Sequence, residues 1–421
     1  MPSGPGARVL EEFGTGEGGN RRDGGLSRNG KRFPARGAGR HTGGMRAQSI
    51  VIAVDSFKGT IGAAAAAGAL ARGWAAARPG DEIHLLPMAD GGEGTLDAFA
   101  AAVPGARRMP VTVTGPDDHP VDASWVLLPA GDGSGPTGVV ELASTSGIEL
   151  LSPDALRPWD AHTRGFGEMI AAALDHGVAR LVLGIGSSAS TDGGTGMLTA
   201  LGARFLDDRD RPVAPGARGL ADIARADLTG LRPVPPGGAT VLSDVTHGLL
   251  GPAGAAHVFA PQKGAAPDDL PRMDAGLTRL STVLGGDPDA PGSGAAGGTG
   301  YALRVWGADL VPGAGAVADL IGLSAALAAA DLVLTGEGSF DGQSAAGKVP
   351  THVARLATDA ATPVALVAGR IADDVAVADL AGFAASVSLT VLAGSAAEAM
   401  ADAERWLAEA GASLARGATD A

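Results

Sequence analysis

The densest group of reactive side chains lies in Asp331-Leu-Val-Leu-Thr-Gly-Glu-Gly-Ser-Phe-Asp-Gly-Gln-Ser-Ala-Ala-Gly-Lys-Val-Pro350. A short apolar run, Leu332 to Leu334, has the length of a buried strand, and it ends in a glycine-spaced loop holding Glu337, Asp341, Gln343, Ser344 and Lys348. Loops beyond the carboxyl ends of strands form the ligand crevice of open α/β sheets, so two acids and a lysine there read as a site. A second group is Ser187-Ser-Ala-Ser-Thr-Asp-Gly-Gly-Thr-Gly-Met197. Its small residues, Ser187, Ser188, Gly193 and Gly194 among them, let backbone N–H groups come close to a phosphate, and Asp192 offers a base.

Four further stretches carry one or two charged residues each, three of them where a strand hands over to a loop. Asp55 and Lys58 follow Ser49-Ile-Val-Ile-Ala-Val, at the N-terminus of a small-residue helix that presents free N–H groups to anions. Asp90 and Glu93 sit in the glycine turn Met88-Ala-Asp-Gly-Gly-Glu-Gly-Thr95, where they either hold Mg²⁺ through hard oxygen ligands or satisfy a helix dipole. Asp244 ends the strand-like Thr240-Val-Leu-Ser-Asp-Val245, and Lys263 stands in Phe259-Ala-Pro-Gln-Lys-Gly264. Gly292, Gly294 and Gly297, with Gly298 beside them, satisfy a formal G-x-G-x-x-G. No strand is predicted before it and no acid follows at the right distance, so it reads as a phosphate-approaching loop before a helix from Tyr301 to Leu310 rather than as a dinucleotide fingerprint. His247 and His257 are isolated and read as ordinary polar residues.

The elements that must position these groups follow from the apolar pattern. Strand, loop and helix alternate over residues 49 to 100, and the same rhythm returns after residue 331, through Pro363-Val-Ala-Leu-Val-Ala-Gly369 and Ala385-Ser-Val-Ser-Leu389. Between them come the short alternating runs Pro110–Thr114, Val121–Leu128 and Thr137–Leu142, and the turn Gly115-Pro-Asp-Asp118 predicts antiparallel pairing of the first two. The expected fold is therefore two-domain α/β. A Rossmann- or flavodoxin-like parallel sheet is built by both chain ends, residues 47–100 and 290–421, with a mixed α/β domain, residues 101–289, inserted. Residues 1–46, rich in Gly, Arg and Asn, read as a disordered tail.

Composition narrows the function classes. With 421 residues, 45% of them hydrophobic, the chain can bury large cores. A net charge of -14 argues against nucleic-acid and anionic-membrane partners, since either needs a basic face. Any anionic substrate must be met by locally gathered Lys and Arg. The absence of cysteine removes disulfides, thiolate metal sites and a cysteine nucleophile, which fits a cytoplasmic protein.

Taken together, these loops resemble the type I glycerate kinase family of bacteria, which phosphorylates D-glycerate with ATP. The likeness rests on Asp55-Ser-Phe-Lys-Gly59, Ala89-Asp-Gly-Gly-Glu-Gly-Thr95, Thr191-Asp-Gly-Gly194, Pro261-Gln-Lys-Gly-Ala265, Gly292-Ser-Gly-Ala-Ala-Gly-Gly298 and Thr335-Gly-Glu-Gly-Ser-Phe-Asp-Gly-Gln-Ser344 with Gly347-Lys-Val-Pro350. Six motifs in register are hard to obtain by chance. The chain departs from the family in having Ser187-Ser-Ala-Ser-Thr191 where Gly-Ser-Ala-Thr-Asn is usual, and Asp244-Val-Thr-His-Gly248 where Asp-Val-Thr-Asn-Pro is usual. The resemblance implies an interdomain site, Mg²⁺-ATP as donor and a lean towards 2-phosphoglycerate over 3-phosphoglycerate. On that mechanism Asp192 is the base, Lys58 and Lys263 face carboxylate and phosphate, and Asp90, Glu337 and Asp244 are the metal-side acids. Two other classes stay open at this point: a non-catalytic organic-acid sensor and a nicotinamide-dependent hydroxyacid oxidoreductase.

Overall fold

The computed structural model describes residues 46–130, 135–342, 348–372, 375 and 377–418, so the expected N-terminal tail lies outside the described residues except for Arg46. Thirteen described strands run in chain order: β1 Ser49–Val54, β2 Glu82–Leu85, β3 Arg107–Thr114, β4 Pro120–Leu128, β5 Thr137–Glu141, β6 Arg180–Gly184, β7 Arg204–Leu206, β8 Arg225–Asp227, β9 Ala239–Leu242, β10 Asp309–Val311, β11 Leu332–Phe340, β12 Val364–Ile371 and β13 Ala385–Ser388. The first sheet has the order β13-β12-β11-β1-β2, and every pairing in it is parallel. It is built from both chain ends, as the recurring strand and helix rhythm predicts. Its central strands read as unbroken apolar runs because both faces are covered. Ile50, Ile52, Leu334 and Val367 pack under the helices Ala63–Ala77 and Ala403–Gly417, whereas Val51, Ala53, Val333 and Leu366 face the opposite way.

That opposite face meets the second sheet across a shared apolar layer. The second sheet runs β10-β9-β6-β5-β4-β3, parallel from β10 to β5 and antiparallel at β5–β4 and β4–β3. Val126, Val139, Val182 and Leu242 turn towards the first sheet's layer, which also holds Phe99, Val317, Leu327 and Val353 from the intervening helices. Trp125, Val140, Leu183 and Val241 turn away, onto the helices Arg164–His176 and Leu270–Leu284. The alternation along β4, β5, β6 and β9 thus serves two cores at once. Among the described residues no helix is long and apolar enough to cross a membrane.

Two elements depart from the sequence expectation. The helix expected over Tyr301–Leu310 instead lies within Ala295–Trp306, where a kink with left-handed φ at Ala296, Gly297 and Gly298 leaves regular helix only from Thr299, and it is capped by Gly307 at φ +102°, a conformation that glycine adopts without a Cβ clash. Beyond it, Asp309–Val311 forms β10 and pairs with β9. Sheet membership therefore carries the inserted sheet to Val311, past the expected change at residue 290. The strand expected over Leu332–Leu334 continues to Phe340, so Glu337 stands on a strand, buried, and not on a loop.

Candidate active site

Strand ends from both sheets converge. After β1 the backbone N–H of Asp55 donates to the Gly336 carbonyl at 2.8 Å, pinning the strand end to β11. A tight turn then closes between Phe57 and Ile61 and presents Lys58 at its tip. Lys58 reaches Asp90, with Nζ 3.6 Å from Oδ2, and its side chain stays 72% exposed. The neighbouring Asp90 carboxylate holds the Lys58 ammonium above its ordinary range. Asp90 itself closes an Asx turn by accepting the Gly92 N–H at 3.0 Å.

The Asp90 loop is wedged against the second sheet. Gly186, just past β6, donates its N–H to the Gly91 carbonyl at 2.9 Å. A Cβ on Gly91 would stand 2.3 Å from the Leu242 carbonyl oxygen, so only glycine allows this approach. Asp244 follows β9 and accepts the Gly313 N–H at 2.8 Å. Burial raises its carboxyl above the usual range, helped by the nearby Asp90 charge.

These loops enclose a cavity of about 610 Å³ lined by Lys58, Asp90, Ser187, Ser188, Asp244, Lys263 and Lys348. Ser187 stands at φ +59° and Ala296, on the facing wall, at φ +52°, a conformation that costs non-glycine residues energy and concentrates at functional sites. Lys263 is 2% exposed and donates from Nζ to Ser188 Oγ at 2.7 Å and to the Ser190 carbonyl at 2.5 Å. Burial pushes its pKa down to about 7, with the charge of Asp192 acting the other way.

A second cavity, about 450 Å³, opens at the carboxyl ends of β1, β11 and β12. Asp55, Glu337, Asp341, Lys58, Lys348 and Arg370 give it charge, while Leu389, Ala399 and Met400 form an apolar wall. Burial, together with the charges of Asp90 and Glu337, raises Asp55 to about 7. Lys58 and Lys348 line both cavities. A third cavity of about 770 Å³ shares Lys58 and also has Arg108, but acids outnumber them, with Glu93, Asp97, Asp122, Glu141 and Glu149 on its walls.

Other expected site residues lie deeper. Asp192 is fully buried and lines none of the three cavities. Its Oδ2 accepts from Thr163 N, Thr163 Oγ1 and Gly196 N, and its Oδ1 from Gly194 N and Ser190 Oγ. Gly193 and Gly194 form the buried turn into the helix Thr195–Ala200, and Gly193 N–H donates to the Gly297 carbonyl. Gly294, Gly297 and Gly298 are buried behind the first cavity. A Cβ on Gly294 would meet the Gly248 carbonyl at 2.2 Å, and one on Gly297 the Ser190 carbonyl at 2.1 Å, so their spacing serves loop-on-loop packing. The element before them is the helix Leu270–Leu284, not a strand. Gln343 and Ser344 lie outside the described residues.

Ser243, Gln262, Arg370, Thr390 and Met400 line the first two cavities without having been singled out from sequence. Arg370 and Ser243 were findable, since each stands at the carboxyl end of a predicted strand. Thr390 and Met400 carry no such signal. Among the described residues no three acidic or imidazole groups come together as a metal cage.

Residues 50–419 match the model of the glycerate kinase family. The glycerate kinase of Bacillus subtilis (strain 168) is 42% identical over 335 residues, covering 77% of this chain and 86% of that protein. The glycerate 2-kinase of Escherichia coli (strain K12) is 38% identical over 357 residues, covering 83% and 92%. A crystal structure of a Salmonella typhimurium LT2 protein described as a glycerate kinase 2 superposes with a TM-score of 0.74 at 37% identity, covering 89% of this chain and 99% of that one.

Proposed function

The chain belongs to the glycerate kinase family, and from that premise we propose that it transfers the γ-phosphoryl group of ATP to D-glycerate in the cleft between the two sheets. The observation that carries this reading is the pair of lysines, Lys58 and Lys348, shared by two adjoining cavities. Phosphoryl transfer asks a protein mainly to align two reactants and neutralise charge at their boundary. Cations belonging to both chambers meet that requirement. Both cavities also fall in the range of roughly 300–1,000 Å³ usual for small-molecule sites.

In this reading the nucleotide's base rests on the apolar wall of Leu389, Ala399 and Met400, with its phosphates directed at Lys58 and Lys348. D-Glycerate occupies the first cavity, beside Ser187, Ser188 and Lys263. The acidic third cavity is unsuited to a polyphosphate. Asp90, Asp244 and Glu337 are dispersed hard donors. Mg²⁺ fits such a set, because it keeps several waters and takes one or two carboxylates together with substrate phosphates. When bound it neutralises phosphate charge. Asp192 shapes the Ser187–Gly194 loop through its hydrogen bonds. The name of the Escherichia coli relative favours the 2-hydroxyl as acceptor. We place the reaction in the cytoplasm, in keeping with a chain that has no cysteine.

Coupled detection of ADP with D-glycerate and Mg²⁺-ATP tests the activity, and phosphorus NMR of the product tests the position. ADP release dependent on glycerate is expected, with 2-phosphoglycerate as product. A chain that binds glycerate without turning over ATP, or that binds NAD instead, defeats the reading.

A further inference from the structure

Removing a proton from the acceptor hydroxyl requires a group with a free lone pair at the cavity wall. Asp192 does not offer one there, since both of its oxygens are engaged beneath the loop. Lys263 is placed differently. It lies on a short turn, Pro261–Lys263, and lines the first cavity beside Ser188, whose Oγ its Nζ contacts. Its two contacts are a hydroxyl and a carbonyl, and among the described residues no carboxylate forms an ion pair with it. An ammonium buried in that way is costly and favours giving up its proton.

We propose that Lys263, acting through the hydroxyl of Ser188, accepts the proton of the glycerate hydroxyl that is phosphorylated. This rests on the kinase reading above. With the amine neutral, the 2.7 Å contact has Ser188 Oγ–H donating to Nζ, while an N–H still donates to the Ser190 carbonyl. As the acceptor oxygen bonds to the γ-phosphorus, the bridging P–O bond to the β-phosphate breaks and ADP departs. The acceptor's proton passes to Ser188 Oγ and the proton of Ser188 passes to Nζ, which becomes an ammonium beside the newly formed phosphate ester. No other reactant is needed. The ionisable groups around Nζ are Asp192 beneath the loop and Lys58, Asp90, Asp244 and Lys348 around the cavity, with His247 edge-on to Phe259 of the cavity lining. Burial sets the Lys263 pKa at about 7, within reach of a working base.

The test is the pH dependence of kcat in the full chain and three variants, with thermal melting of each. In the wild type kcat should rise with pH along an acidic limb, and a flat profile overturns the proposal. Arginine keeps the cation but does not deprotonate, so Lys263→Arg should lower kcat by about 100-fold or more with both KM values changed by less than about 3-fold. Lys263→Ala should recover rate on addition of methylamine or ethylamine, and Ser188→Ala should lose about 10-fold or more in kcat. A Lys263→Arg enzyme with kcat near wild type overturns the proposal alone. So does a Lys263→Ala enzyme that melts like wild type, ignores added amines and loses only glycerate affinity. Absence of glycerate-dependent ADP release in the wild type overturns the kinase reading itself.

Discussion

Replacing Asp192 by asparagine separates an architectural carboxylate from a catalytic one. The side chain is fully buried and gathers five donors: Thr163 N at 2.9 Å, Thr163 Oγ1 at 2.8 Å and Gly196 N at 3.1 Å on Oδ2, with Gly194 N at 2.9 Å and Ser190 Oγ at 3.4 Å on Oδ1. An asparagine must turn its amide nitrogen towards one of these groups. The cheaper choice faces Ser190 and Gly194, since the serine hydroxyl can rotate to accept, but the Gly194 N–H is then left without a partner. An orphaned buried donor costs about 1–3 kcal/mol, and the three bonds kept on the other side each lose their charge assistance, so the total is roughly 3–5 kcal/mol. For a chain of 421 residues that is a fall in Tm of roughly 3–6 °C. Thermal melting measures it, and a pH profile of kcat on the folded variant completes the test. The acidic limb should persist, because the proposed base is elsewhere. A variant that melts within about 2 °C of wild type while losing both turnover and the acidic limb refutes this reasoning and makes Asp192 the base.

Lys58→Met should lower kcat/KM by about 100-fold or more for ATP and for glycerate alike, because Lys58 lines both cavities; a change confined to one substrate counts against a shared boundary. Met400, 60% exposed on the apolar wall, should raise the KM for ATP about 10-fold on Met400→Glu while glycerate KM stays put, and an unchanged ATP KM moves the base out of that cavity. Burial raises Glu141 from 4.5 to about 7, although it accepts the Leu96 N–H at 3.0 Å. The folded state therefore holds a proton that the unfolded chain releases above 4.5, and stability falls as pH rises from there to about 7. Glu141→Gln removes that penalty. Its melting temperature should match wild type near pH 4 and exceed it above pH 7, where the gain approaches about 3 kcal/mol; a pH-independent difference rules out the ionisation as its cause.

What the sequence makes legible here is set by how local each constraint is. β1, β11 and β12 are buried on both faces, so their apolar runs announce them, and the acids placed just past strand ends mark the crevice through a rule that holds for the whole fold class. β10 escapes because three residues after a helix cap carry no pattern of their own; they are a strand only because β9 lies beside them. The same limit governs chemistry. Residue type shows that Asp192 can act as a base, but whether a lone pair is available depends on Thr163, brought to it from 29 residues away. Glycine spacing over Gly292–Gly298 matches a phosphate loop, yet the clearance it opens is taken by the backbones of Gly248 and Ser190. Lys263 shows the converse. Nothing in Pro-Gln-Lys-Gly reveals a lysine 2% exposed, and it is that burial, produced by the fold around Ser188 and Ser190, that turns an ordinary surface cation into a group able to take a proton.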